Sequence, residues 1–147
     1  MNTQLNIKLL SELATIPTKG TEKSAGFDLY AAISEPVEIM PGRMVKIPTD
    51  IAIELPPNTF GAIYPRSGVA TKRGLRMANS VAVIDEDYRG NCIIPLYNDS
   101  NEVQTVGPKE RIAQLVIQPY VPAFIATVEE LSETERGARG FGSTGVN

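Results

Sequence analysis

Histidine is absent from this 147-residue chain. The commonest general base and the commonest zinc ligand are therefore missing. Nucleophilic catalysis by a Ser-His-Asp or Cys-His arrangement is excluded within the chain. Acid–base chemistry falls to Asp, Glu, Lys or Tyr. Cysteine occurs once, at Cys92, so no intrachain disulfide forms, in keeping with a reducing compartment. Its neighbours Ile93 and Ile94 are apolar, which assigns the thiol to packing. A strong charge of either sign is also lacking: the formal net charge is −3, with acids and bases mixed along the chain. That argues against a protein that coats DNA or RNA, which needs a basic face. A few placed arginines would still serve one small phosphorylated ligand. No apolar run approaches the length of a membrane span. The segment MNTQLNIKLL has neither the basic region nor the apolar stretch of a secretory signal. The expectation is a soluble intracellular protein of the cytoplasm, with no nucleic-acid or membrane partner.

What is present suits one packed domain. Hydrophobic residues make up 42% and charged residues 21%, enough for a core and too apolar for global disorder. Helical periodicity is nowhere sustained. Short alternating or β-branched runs recur instead: Leu5 to Leu9, Val37 to Ile39, Val45 to Ile47, Ile51 to Leu55 and Phe60 to Tyr64. Val81 to Ile84, Ile93 to Tyr97, Ile112 to Ile117 and Phe124 to Val128 follow. Many short strands with Gly, Pro, Asn and Asp between them predict an all-β sandwich or barrel. Eleven prolines agree, because proline sits at turns and strand ends. Pro95 falls inside a strand-like run and predicts an edge or a bulge there. Ser67 to Arg73 reads as a short helix with Ser67 as its N-cap and Gly74 as its stop. Val128 to Glu135 reads as one helical turn or as loop. From Arg136 onward, Gly137, Gly140, Gly142 and Gly145 surround Phe141. Such a segment cannot build a core, since ordering glycine is entropically costly. The predicted organisation is a β-barrel domain over 1–135 and a Gly-rich C-terminal arm over 136–147.

Five constellations could carry chemistry, each with a plainer reading beside it. IDEDYRG, from Ile84 to Gly90, sets three acids, an aromatic and a base between two strand-like runs. Asp85 follows an apolar run, which predicts a partly buried carboxylate of fixed direction, able to hold and deprotonate water. The same residues also suit an acid-rich surface turn. In PRSG, Arg66 offers bidentate bonds to phosphate. Ser67 and the amides after it could cap a phosphate, or simply start an ordinary helix. The glycine-rich tail could cradle phosphates or remain a loose end; it lacks the Lys-Ser/Thr ending of a Walker A loop. In KERIAQL, Arg111 and Gln114 are polar positions in an apolar strand. In SAGFDLYAA, Asp28 interrupts an apolar strand, either for function or as a buried acid held by backbone donors.

Taken together and in order, AGFDLYAA, PRSGVATKRG, NSVAVIDEDYRG, KERIAQL and RGARGFGSTG resemble the five motifs of the trimeric dUTPase family. They run from Ala25 to Gly145 and cover essentially the whole domain. The resemblance implies a jelly-roll-like β-barrel protomer in a homotrimer whose active sites are shared between chains. It implies Mg²⁺-dependent hydrolysis of dUTP to dUMP and pyrophosphate, which limits uracil in DNA and supplies dUMP for dTMP synthesis. Asp85 matches the family's water-activating carboxylate. Tyr88 matches the aromatic that packs on the sugar and rejects a 2′-hydroxyl. A β-hairpin from Asn79 to Asp85, including Val83, would receive uracil, with Asn79 its side-chain contributor. Arg66, Ser67, Gly68 and Gln114 match phosphate-contacting positions, and Asp28 matches an acid that holds Mg²⁺ through water. Arg136 matches a γ-phosphate ligand. Phe141, with Gly142 beside it, matches the aromatic that covers the base, and Ser143 and Thr144 match tail contacts to the terminal phosphates.

The absence of histidine is consistent with this, since one carboxylate suffices when water is the nucleophile. Two positions depart from the family pattern. Ala82 stands where Gly is usual, a costly exchange if positive φ is required. Arg139 stands where a small or varied residue is common. Two other classes share the scaffold: dCTP deaminases, and trimers that have kept the fold and lost the activity. The intact IDEDY segment favours hydrolysis over the first, and the presence of Asp85, Arg66 and Phe141 favours it over the second.

Overall fold

The computed structural model describes residues 4–140. Among them are eleven strands and one short helix. The strands are β1 (Asn6–Leu9), β2 (Phe27–Tyr30), β3 (Val37–Ile39), β4 (Met44–Pro48), β5 (Ile51–Glu54) and β6 (Thr59–Pro65). The helix α1 (Ser67–Arg73) comes next, then β7 (Leu75–Met77), β8 (Ala82–Ile84), β9 (Ile93–Asn98), β10 (Gln104–Val106) and β11 (Arg111–Pro119). The ladders are antiparallel and form four small sheets: β1-β5, β10-β3, β2-β11-β6-β8 and β4-β9-β7. They wrap one core as a jelly-roll-like barrel, the all-β class expected from the short punctuated strands. No helix among the described residues is long and apolar enough to cross a membrane.

Alternation explains which face each strand buries. In β9, Ile94, Leu96 and Asn98 point inward, and Ile93, Pro95 and Tyr97 are less buried. Asn98 is fully buried but satisfied: its Nδ2 donates to the carbonyls of Ile39 (2.7 Å) and Glu102 (2.8 Å). Its Oδ1 accepts from Ser100. The core centres on Leu29, Ile47, Ile53, Ile63, Ile94 and Leu115. Leu115 lies in β11, between β2 and β6, with none of its surface exposed. Leu115→Ala is expected to cost about 2–5 kcal/mol through lost burial and a residual cavity. Urea unfolding, followed as a lowered midpoint at constant slope, checks it.

Several local expectations are corrected. Pro95 lies in the central strand of its sheet, not at an edge. Its carbonyl accepts from Ala78 N at 2.8 Å, on the β7 side. Its missing donor faces that same side, beyond the last β7 residue, so no bond to β4 is lost. The N-cap of α1 is Arg66, in extended conformation and without a side-chain cap, and Ser67 is the first helical residue. Gly74 ends the helix as expected, in the left-handed region (φ 65°). Strands β7 and β10 had no counterpart among the predicted runs; each exists because β9 or β3 offers it a ladder. Phe124 to Val128 is not a strand. It has strand composition but no partner strand among the described residues, and an unpaired strand is not stable.

Candidate active site

A cleft of about 460 Å³ gathers three of the five constellations. Asp28 and Gly26 come from β2 and the residue before it, Arg66 to Gly68 from the start of α1, and Arg111 and Gln114 from β11. Alternation in β2 sends Leu29 into the core and Asp28 to the cleft. The Asp28 carboxylate is mostly buried and takes two guanidinium groups: Arg66 Nε on Oδ1 at 2.8 Å, and Arg111 Nη1 on Oδ2 at 3.3 Å. This resolves the oddity of an acid in an apolar strand: among the described residues its carboxylate is held by two arginine side chains and by no backbone donor.

Arg111 and Gln114 are three residues apart, so a regular strand would point them to opposite faces. The register of β11 against β2 shifts between Arg111 and Ala113. That bulge buries Ile112 and Ala113 in succession and leaves Arg111 and Gln114 together at the cleft. Gln114 Nε2 donates to the Pro65 carbonyl at 2.9 Å. A Cβ at position 26 would lie 2.6 Å from Gln114 Oε1, so glycine is what lets this side chain cross β2. Arg111 was not among the expected binding residues; its polarity in an apolar run was the only signal. Helix α1 buries only Val69. Its far end is held by Arg73, which pairs with Glu110 and donates to Gln104 Oε1 at 3.2 Å.

Asp85 lies elsewhere, in a groove of about 1110 Å³ with Val83, Glu54, Phe60, Glu86 and Tyr120 among its lining. The two clefts share no lining residue. Asp85 is exposed, not partly buried as expected, because the strand before it ends at Ile84 and the chain turns outward. Among the described residues no hydrogen bond or ion pair engages its carboxylate. The turn closes through Tyr88 N donating to Asp85 O at 3.1 Å. Tyr88 folds over Gly90, where a Cβ would lie 2.5 Å from its Cζ, and its hydroxyl donates to Asn91 O at 3.1 Å. Glu86 accepts from Asn58 N and from the Tyr120 hydroxyl. That bond, with the surrounding acids, holds the Tyr120 phenol above its ordinary range.

Asn79 sits exposed in the turn after β7. The expected hairpin from Asn79 to Asp85 is not a paired ladder, since β7 pairs with β9 and β8 with β6. Instead Ser80 (φ 62°) turns the chain from one sheet to another. Val83 faces outward on β8 while Ala82 joins the core. Ala82 is not among the positive-φ residues, so alanine is unstrained there. Arg136 is exposed and lines neither cleft; Arg136 and Arg139 each donate Nε to the other's carbonyl at 3.0 Å, closing a turn. Phe141, Gly142, Ser143 and Thr144 lie outside the described residues. Cys92 is buried, and burial pushes its thiol up to about 11, which agrees with a packing role.

The family model for dUTPase matches residues 12–145. A deoxyuridine 5′-triphosphate nucleotidohydrolase of Nautilia profundicola is 49% identical over 142 residues, covering 97% of this chain and 99% of that protein. The Staphylococcus bacteriophage 80alpha dUTPase, solved with dUpNHpp, superposes with a TM-score of 0.85 at 33% identity, over 99% of this chain and 100% of that one. A mutant dUTPase from phage phi11 of S. aureus, whose structure is described as revealing the coordination of a structural Mg(II) ion, has a TM-score of 0.79 at 27% identity, over 89% of this chain and 100% of that one. With five motifs in order, a barrel that gathers three of them in one cleft, and matches along nearly the whole length, the chain belongs to the dUTPase family of nucleotide hydrolases.

Proposed function

We propose that this protein hydrolyses dUTP to dUMP and pyrophosphate, at a site completed between copies of the chain in a homotrimer. The observation that carries the reading is the division of the site. The phosphate-suited cluster of Asp28, Arg66, Arg111 and Gln114 occupies one cleft, and Asp85 beside Val83 occupies another. A second copy would bring one to the other. Support for assembly comes from the segment after β11. Val121, Phe124, Ile125, Val128 and Leu131 are 63–97% exposed, more consecutive apolar surface than a monomer ordinarily leaves in water.

In this reading Asp85 accepts a proton from water as the water oxygen forms a bond to the α-phosphorus. The bond from that phosphorus to the bridging oxygen breaks, and pyrophosphate leaves with the electron pair. An unpartnered, exposed carboxylate suits a base that must meet water. Arg66 and Arg111, already oriented by Asp28, keep further N–H groups for phosphate oxygens. Ser67 and Gly68 contribute first-turn amides. Asn79 and the Val83 backbone receive uracil, and a site matched to its acceptor and donor leaves groups unpaired with cytosine. Arg136, Phe141, Gly142, Ser143 and Thr144 belong to the arm that closes over the nucleotide.

Among the described residues no cluster of three acids or cysteines offers a metal cage. Each Asp28 oxygen already takes one arginine N–H, and its remaining lone pairs can accept from water. This donor set fits outer-sphere contact with a hydrated Mg²⁺ carried by the triphosphate, and Asp28 would hold it through water. When bound, the ion would neutralise the triphosphate and fix its shape. Removing dUTP would limit uracil in DNA and supply dUMP for dTMP synthesis.

A panel of deoxynucleoside triphosphates with and without EDTA tests the reading. Pyrophosphate release from dUTP alone, lost with EDTA, is expected; ammonia release from dCTP without pyrophosphate overturns it. Gly90→Ala should displace the Tyr88 ring and lower the dUTP-to-UTP ratio of kcat/KM by about tenfold. Competing assays with both nucleotides check this.

A further inference from the structure

With no side-chain partner among the described residues, the Asp85 carboxylate takes its direction from the turn that carries it. The next residue turns the other way. Glu86 Oε2 accepts from Asn58 N at 2.8 Å and from the Tyr120 hydroxyl at 3.0 Å. Asn58 sits in the β5–β6 turn with φ 59°, and its carbonyl accepts the Tyr120 amide at 3.1 Å. The Glu86 carbonyl accepts from Arg89 Nη1 at 2.7 Å, and the Arg89 guanidinium reaches Glu54 at the end of β5 (3.7 Å). Three segments thus meet at one carboxylate: the Asp85 turn, the β5–β6 turn, and the point where the chain leaves β11. Asparagine adopts the left-handed region more readily than other non-glycine residues, and the bonds on both sides of Asn58 hold it there.

We propose that Glu86 is a positioning residue: it pins the Asp85 turn to Asn58 and Tyr120, and so sets where the Asp85 carboxylate points. The proposal rests on the reading of Asp85 as the base. A misplacement of about 1 Å at a reacting group costs on the order of 10²-fold in rate. Loss of the junction should therefore appear in kcat, while KM, set by contacts to the phosphates and to uracil in which Glu86 takes no part, stays.

The test compares Glu86→Ala, Glu86→Gln and Tyr120→Phe, with Asp85→Asn as control. Gln keeps an acceptor oxygen for both donors and removes only the charge. Glu86→Ala should lower kcat by about 10- to 100-fold with KM within about twofold. Glu86→Gln should restore most of the turnover, and Tyr120→Phe, which removes one of the two bonds, should fall between. Unchanged kcat in Glu86→Ala overturns the proposal. So does a Gln variant as slow as the Ala variant, or a loss of activity that only tracks the fraction unfolded. If Glu86→Ala does not fold, Tyr120→Phe decides by the same split, and unchanged kcat there is a refutation. The control separates the two ideas. An active Asp85→Asn removes the reading of the base; an inactive Asp85→Asn beside a fully active Glu86→Ala removes only the role of Glu86.

Discussion

Asp85→Asn is expected to lower kcat by about 10²- to 10⁴-fold and to leave affinity for a non-hydrolysable dUTP analogue within about twofold. That loss corresponds to about 3–5 kcal/mol of transition-state stabilisation. Asparagine has the same shape and still accepts a hydrogen bond, but it no longer takes a proton at neutral pH. The fold has no stake in the exchange. No donor among the described residues depends on the Asp85 carboxylate, and the turn is closed by the Tyr88 amide and held through Glu86. Steady-state pyrophosphate release and calorimetric binding of the analogue check both halves. Turnover at the wild-type rate would place the base elsewhere, and lost binding would make Asp85 a ligand to substrate.

Two truncations should differ in kind. Removing residues 136–147 is expected to reduce kcat/KM by about 10²-fold or more, because in the proposed reading the arm supplies both donors to the terminal phosphates and the cover over the base. Assembly and thermal midpoint should hardly change, since residues 136–140, the described part of this segment, add nothing to the buried core. Removing residues 121–147 should also break assembly, because it takes away Val121, Phe124, Ile125, Val128 and Leu131. These side chains find no cover among the described residues, and apolar surface of this kind stabilises association when a neighbour buries it. Light scattering and a substrate assay on both variants separate the outcomes. A shorter truncation that unfolds the barrel would mean the arm is structural. A longer one that still assembles like the full chain would mean the exposed segment is not the contact.

How far residues reveal structure depends here on whether their signal is local. Ile94 and Leu96 announce their strand because burial on one face requires alternation. Gly74 announces the end of α1 because the left-handed region is nearly free to glycine. Leu75–Met77 and Gln104–Val106 announce nothing, being too short to show a period and stable only through their ladders. Phe124 to Val128 shows the converse, with strand composition and no ladder to join. For Pro95 the rule about lost donors predicts an edge or a bulge, and the rule is kept in another way: the missing donor faces a position where β7 has already ended.

The site divides along the same line. Residue types in order were enough to point to the all-β class and the dUTPase family, because motif identity is written in the chain itself. Only the tertiary structure decided that a bulge turns Arg111 to the same face as Gln114, that Asp28 is spanned by two arginines, and that Glu86 ties the Asp85 turn to Asn58 and Tyr120. It also decided that Asp85 and the arginine cluster open into different clefts of one chain. Each of these depends on register and direction between segments far apart in sequence, and side-chain type carries no information about which way a distant strand will face.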